Sequence, residues 1–127
     1  MKKDIENRND LYQLVKLFYV KLLNDAEMHH FFIEFEDPKK LEPHLQVLVD
    51  FWENILFYTG GYRKNAMQPH LELQPKKPFQ SKHFKRWLSS FNSAVDELYE
   101  GENSFTIKSR AQSIATVMEI KISELNS

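Results

Sequence analysis

Apolar residues recur along this chain with the period of an α-helix, in four blocks separated by aromatic, proline or glycine breaks. In "NDLYQLVKLFYVKLL", Leu11, Leu14, Val15, Phe18 and Leu22 fall at i, i+3, i+4, i+7 and i+11, with Asn9 or Asp10 expected as the N-cap. Tyr19 follows Val15 by four, on the flank of that stripe. "NDAEMHHFFIEFEDP" interrupts the pattern with a capping signal, a clump of aromatics and Asp37-Pro38. "LEPHLQVLVDFWENILFY" predicts a second helix with Pro43 in its first turn and His44 just inside it. Leu45, Leu48, Val49, Trp52, Ile55 and Leu56 form its apolar face, and His44, four residues before Leu48, shares that side. Gly60-Gly61 is the expected stop.

"YRKNAMQPH" reads as loop, and "PHLELQ" as at most a turn or two of helix, closed off by Pro75 and Pro78. A third helix is predicted through "FQSKHFKRWLSSFNSAVDELYEG", with a stripe of Phe84, Trp87, Leu88, Phe91, Val95 and Leu98 and Gly101 as its stop. The fourth, "SFTIKSRAQSIATVMEIKISEL", carries Ile107, Ala111, Ile114, Ala115, Met118, Ile122 and Leu125 on one face. No strand, repeat or low-complexity tract is evident. The expectation is a single all-α domain over residues 1–127, built from paired helices.

Composition narrows the function. The 127 residues suffice for one hydrophobic core. Ten Phe, five Tyr and two Trp are a heavy aromatic load for a small domain, and so much flat side-chain area often surrounds something other than itself. Lys and Arg number 17 against 18 Asp and Glu, so no general attraction to nucleic acid or an anionic membrane follows. The basic residues Lys76, Lys77, Lys82, Lys85 and Arg86 read as a solvated face. With no cysteine, disulfides, thiolate zinc sites, iron–sulfur clusters and cysteine nucleophiles are excluded. "MKKDIENRND" has no apolar run behind its lysines, and no stretch is long enough to span a bilayer. A cytoplasmic location is expected.

The five histidines lack the HExxH spacing of a zinc protease, and neither a nucleophile elbow nor a glycine-rich phosphate loop is present. Tyr19, Phe32, His44 and Trp87 remain, on or near apolar faces, with His70 set apart among prolines. Taken singly, each has a plainer reading: tyrosine and tryptophan as core residues, His44 as a satisfied histidine, His70 as the start of an exposed turn.

Taken in order, Tyr19 in "LFYVKLL", Phe32 in "HHFFIEF", His44 and Trp52 in "EPHLQVLVDFW", His70 in "QPHLEL" and Trp87 in "HFKRWLSSF" resemble a truncated globin. The third group of that family, the P group, is the most similar, and "RAQSIATVM" resembles its last helix. The resemblance covers about Asp10 to Leu125. It implies a two-over-two helical sandwich that binds haem b, with His70 as the proximal iron ligand. It also implies a distal side of Tyr19, His44, Trp87 and Leu48, with Phe32 against the porphyrin. Phe51, Trp52, Leu56 and Phe79 are then pocket walls, or plain core residues, and Arg63 and Lys64, in the loop before His70, either reach the propionates or are simply solvated. His44 is read as a hydrogen-bond donor that can swing aside, or as a sixth iron ligand at rest.

The implied partners are dioxygen, nitric oxide or carbon monoxide, and a separate electron donor for any turnover. So many polar groups around the ligand suit nitric oxide dioxygenation, peroxide reduction or sensing better than transport. The competing expectation is a cofactor-free helical module that binds a partner protein, its aromatics forming only a core.

Overall fold

The computed structural model describes residues 2–57 and 80–125. Within them, α1 spans Arg8–Leu23, α2 Pro38–Phe57, α3 Ser81–Leu98 and α4 Glu102–Leu125. Two short 3-10 helices, His29–Phe31 and Ile33–Glu36, join α1 to α2. No strand occurs among the described residues. α1 packs on α2 and on α3, α3 packs on α4, and α2 touches α4 more sparingly. All four expected helices form, and each predicted stripe supplies the core: Leu11, Leu14, Val15, Phe18 and Leu22; Leu45, Leu48, Val49 and Trp52; Phe84, Trp87, Phe91 and Val95; Ile107, Ala111, Ala115 and Met118.

The ends differ from expectation in three places. α1 is capped by Asn7, not Asn9 or Asp10, because the Asn7 side chain accepts the Asp10 N–H at 3.0 Å. Asp10 turns its own carboxylate back onto the Glu6 N–H at 2.9 Å and the Lys3 ammonium at 2.8 Å. Its negative charge also suits the first turn of a helix.

α2 starts five residues before Pro43. Asp37 caps it, its carboxylate accepting the Lys39 N–H at 3.0 Å and its carbonyl those of Lys40 and Leu41 at 3.0 Å. Pro38 takes the first helical position, where a missing N–H is harmless. Pro43 therefore lies in the second turn, and the burial of Leu45, Leu48 and Val49 outweighs the backbone bond it removes. His44 consequently sits in an established helix rather than at a fraying end.

Gly101 does not stop α3, which ends at Leu98. It opens α4 instead, its carbonyl accepting the Phe105 N–H at 2.9 Å. Its φ of +148° lets the N-terminal segment approach. There the Asp4 carboxylate accepts the backbone N–H groups of Asn103 and Ser104 at 2.8 and 2.9 Å. Lys3 accepts the Glu100 N–H at 2.9 Å, and the Tyr99 hydroxyl donates to the Asp10 carbonyl at 2.8 Å. The segment before α1 is thus bound to the α3–α4 corner.

Candidate functional site

Tyr19 on α1 and His44 on α2 meet across the interface of those two helices. The phenol oxygen lies 2.6 Å from His44 Nε2, with ring centroids 5.2 Å apart. Tyr19 is 1% exposed, while His44 is half-buried. Burial pushes the phenol well above its ordinary range, and the Glu34 carboxylate adds to the effect. Tyr19 therefore keeps its proton. The bond runs in either sense: the hydroxyl donates to an unprotonated Nε2, or an Nε2–H donates to the phenol oxygen. In the second case the hydroxyl proton remains available for a third group.

Aromatic rings surround the pair. Phe32 meets Tyr19 edge-on at 5.7 Å and Phe18 does so at 5.5 Å. Phe18 also meets Trp87 at 5.5 Å and Phe91 at 5.1 Å, both edge-on. Trp52 stacks on Phe91 at 5.3 Å, and Phe51 stands against Trp52 at 5.0 Å. A continuous path of rings thus runs from His44 through Tyr19 and Phe18 to Trp87 on α3, and through Phe91 to Trp52 on α2. Leu48, one turn after His44, is buried, and Leu56 packs against the same core.

Tyr19, Phe32 and His44 are therefore brought together, and Trp87 and Trp52 join them one or two rings away. His70, Arg63, Lys64 and Phe79 lie outside the described residues, as do Gly60-Gly61 and the "PHLELQ" turn. One residue of the cluster was not singled out from the sequence. Phe35 stacks face to face on His44 at 4.4 Å with 16° between the planes, and meets Tyr19 edge-on at 5.6 Å. Its signal was the spacing of three from Phe32, since residues i and i+3 eclipse in a 3-10 turn and so share a side.

The start of α3 is held by a second histidine. His83 Nδ1 accepts the Gln80 N–H at 2.8 Å, the role that glutamine or glutamate plays in a capping box, and Trp87 follows one turn later. Burial lowers the His83 pKa below its ordinary 6.5, as do Lys82, His30 and Arg86, while Glu27 opposes them. A depressed folded pKa means that the unfolded chain binds the proton more readily. The contribution of His83 is then complete above pH 6.5 and is lost as pH falls through the folded value. Wild-type protein should lose more unfolding free energy between pH 7 and pH 5 than His83→Gln, which keeps an acceptor at that position. Equal acid slopes in denaturant titrations would remove His83 from this role.

Part of the basic face is paired. Arg86 donates to both Asp25 oxygens at 2.9 to 3.1 Å, and Lys82 lies 3.4 Å from Glu27. Among the described residues no group of three or more histidines and carboxylates is arranged to hold a metal ion, and no helix is long and apolar enough to cross a membrane.

No family model matches the chain. The group 3 truncated hemoglobin of Campylobacter jejuni is 29% identical over 119 residues, which cover 91% of each chain. The crystal structure of a group III truncated hemoglobin from Campylobacter jejuni superposes with a TM-score of 0.83 at 26% identity, over 96% of this chain and 95% of that one. The chain has the all-α, two-over-two fold of a truncated globin, and in sequence and in fold alike it resembles the third group.

Proposed function

We propose that this chain is a haem globin that binds a diatomic gas, with His70 holding the iron and Tyr19, His44 and Trp87 on the side where the gas sits. The observation that carries the reading is the Tyr19–His44 pair, 2.6 Å apart, its phenol buried and its imidazole on a half-buried residue, in an otherwise apolar wall of a truncated-globin fold. A core built only for stability gains little from a phenol and an imidazole facing each other, since hydrophobic groups of similar volume would serve as well.

The described residues fit the cofactor. Phe32, Leu48, Trp52 and Trp87 are buried apolar or aromatic side chains suited to a flat macrocycle, and one polar pair is set among them. With no cysteine in the chain there is no thiol for covalent attachment, so haem b is the form that suits it. When bound, haem supplies an iron atom that takes up a diatomic ligand, with a histidine nitrogen as its protein ligand. His70 takes that position by the resemblance, and Arg63 and Lys64 are assigned to the propionates because they lie in sequence between the second helix and His70.

The chain's own contribution is a protonated phenol, an imidazole able to move a proton, and an indole N–H. Donors of this kind stabilise negative charge developing on a ligand and slow its release. That favours redox chemistry or sensing over transport: nitric oxide dioxygenation, or peroxide reduction with His44 as acid–base. Turnover of either kind takes electrons from a separate partner. The expected site of action is the cytoplasm.

Visible spectra of protein purified with a haem supply test the proposal. A Soret band that shifts when carbon monoxide is added to reduced protein, and that is lost in His70→Ala, is the expected result. A colourless protein that takes up no haem would leave the cofactor-free interaction module as the reading.

A further inference from the structure

The stack of Phe35 on His44 is closer to parallel than most of the ring contacts in the cluster, at 16° and 4.4 Å. His44 is half-buried, and its imidazole turns about two side-chain torsions. Its bond to Tyr19 requires the one orientation that presents Nε2 at 2.6 Å from the phenol oxygen. Phe35 covers the face of the ring while standing edge-on to Tyr19 at 5.6 Å, so a single side chain touches both partners.

Phe35 is itself well fixed. It lies in the 3-10 helix Ile33–Glu36, where its N–H donates to the Phe32 carbonyl at 2.9 Å. Asp37 ends that helix and caps α2, so the backbone carrying Phe35 runs directly into the helix carrying His44. Glu36 pairs with His29, which ties this 3-10 helix to the one before it.

We propose that Phe35 is a positioning residue for the distal site: its ring holds the His44 imidazole in the orientation that bonds Tyr19. Its consequence for ligand binding rests on the haem reading above, but the orientation itself does not. An unoriented imidazole exchanges its partner for water, and the buried hydroxyl then bonds elsewhere or not at all. A leucine of similar bulk would fill the space but give no flat face for stacking.

The test is nuclear magnetic resonance of the full chain, in its reduced, carbon monoxide-bound form, with 15N-labelled histidine. Wild-type protein should show one set of His44 ring resonances and a slowly exchanging Tyr19 hydroxyl proton. Phe35→Leu should lose that proton signal and average the His44 resonances, with the remaining amide spectrum still dispersed as in a folded protein. Phe35→Tyr, which keeps the ring, should restore both. If Phe35→Leu keeps the hydroxyl signal and a single His44 set, or if Phe35→Tyr behaves as Phe35→Leu does, the proposal is overturned. Failure of the haem reading would show separately, as wild-type protein without a Soret band, and the same resonances would then be read in that protein.

Discussion

Tyr19→Phe is expected to speed the release of a bound diatomic ligand by about one to two orders of magnitude. The substitution removes one oxygen from a residue that is otherwise fully buried, so it leaves the ring contacts with Phe18, Phe32 and Phe35 in place. A hydrogen bond to a group bearing charge is worth roughly 1.5–3 kcal/mol, and each 1.4 kcal/mol is a factor of ten in rate or affinity. Burial keeps the phenol protonated, so it retains a proton to donate near neutrality. Stability should fall by only about 1 kcal/mol, the usual value of one hydrogen bond. Stopped-flow displacement of dioxygen by carbon monoxide measures the release rate. A rate within twofold of wild type would mean that the hydroxyl proton is committed to His44 and does not reach the ligand.

That outcome turns on the His44 tautomer. When Nε2 carries the proton, Tyr19 accepts from it and its own proton is free; when Nδ1 carries it, Tyr19 donates to His44. The two residues thus act as one donor unit, and removing either alone is expected to change the other. His44→Leu leaves the hydroxyl without its 2.6 Å partner, so the paired and single substitutions should not add.

The helices were legible because burial in this fold follows the 3.6-residue stripe, so that most stripe residues among the described positions are in the core and the others pack against it half-buried. What the pattern lacked was any sense of which helix faces which. Periodicity placed Tyr19 and His44 on apolar faces, but that they face each other follows from the packing of α1 on α2. Local rules failed where distant residues intervene. Pro43 argued for a later start to α2, yet Asp37 and Pro38 start the helix earlier and core packing carries it through the second proline. Phe35 was passed over because a short 3-10 segment has no stripe to reveal, only a spacing of three. From the sequence Gly101 resembles a helix stop, since glycine after a helix ordinarily is one. Its actual constraint comes from Asp4, close to the other end of the chain.

That constraint gives the largest expected loss of stability. Gly101→Ala should destabilise the protein by about 2–5 kcal/mol, combining roughly 1–3 kcal/mol of backbone strain with about 1–2 kcal/mol for a lost helix cap. The strain arises because φ at Gly101 is +148°, which L side chains rarely adopt. The cap is lost because a Cβ there would stand 2.5 Å from Asp4 Cγ, and Asp4 must move to clear it. Moving it breaks the bonds from Asn103 and Ser104 N–H, and one from the Ser104 hydroxyl at 2.8 Å. Burial raises the Asp4 pKa, but those donors and the Ile5 N–H outweigh it and leave the value below the usual 3.8. Asp4 therefore contributes its stability above pH 3.8 and loses it as pH falls through the folded value, so the cap is intact near neutrality. A double-mutant cycle in denaturant at pH 7 separates strain from collision. With Asp4→Gly already present, the added alanine meets neither the carboxylate nor the Asp4 Cβ that would stand 2.7 Å away, and its cost should shrink to the backbone part alone. If the two substitutions add in full, the collision is absent and strain at φ accounts for the whole of the Gly101→Ala effect beyond any change in the unfolded chain.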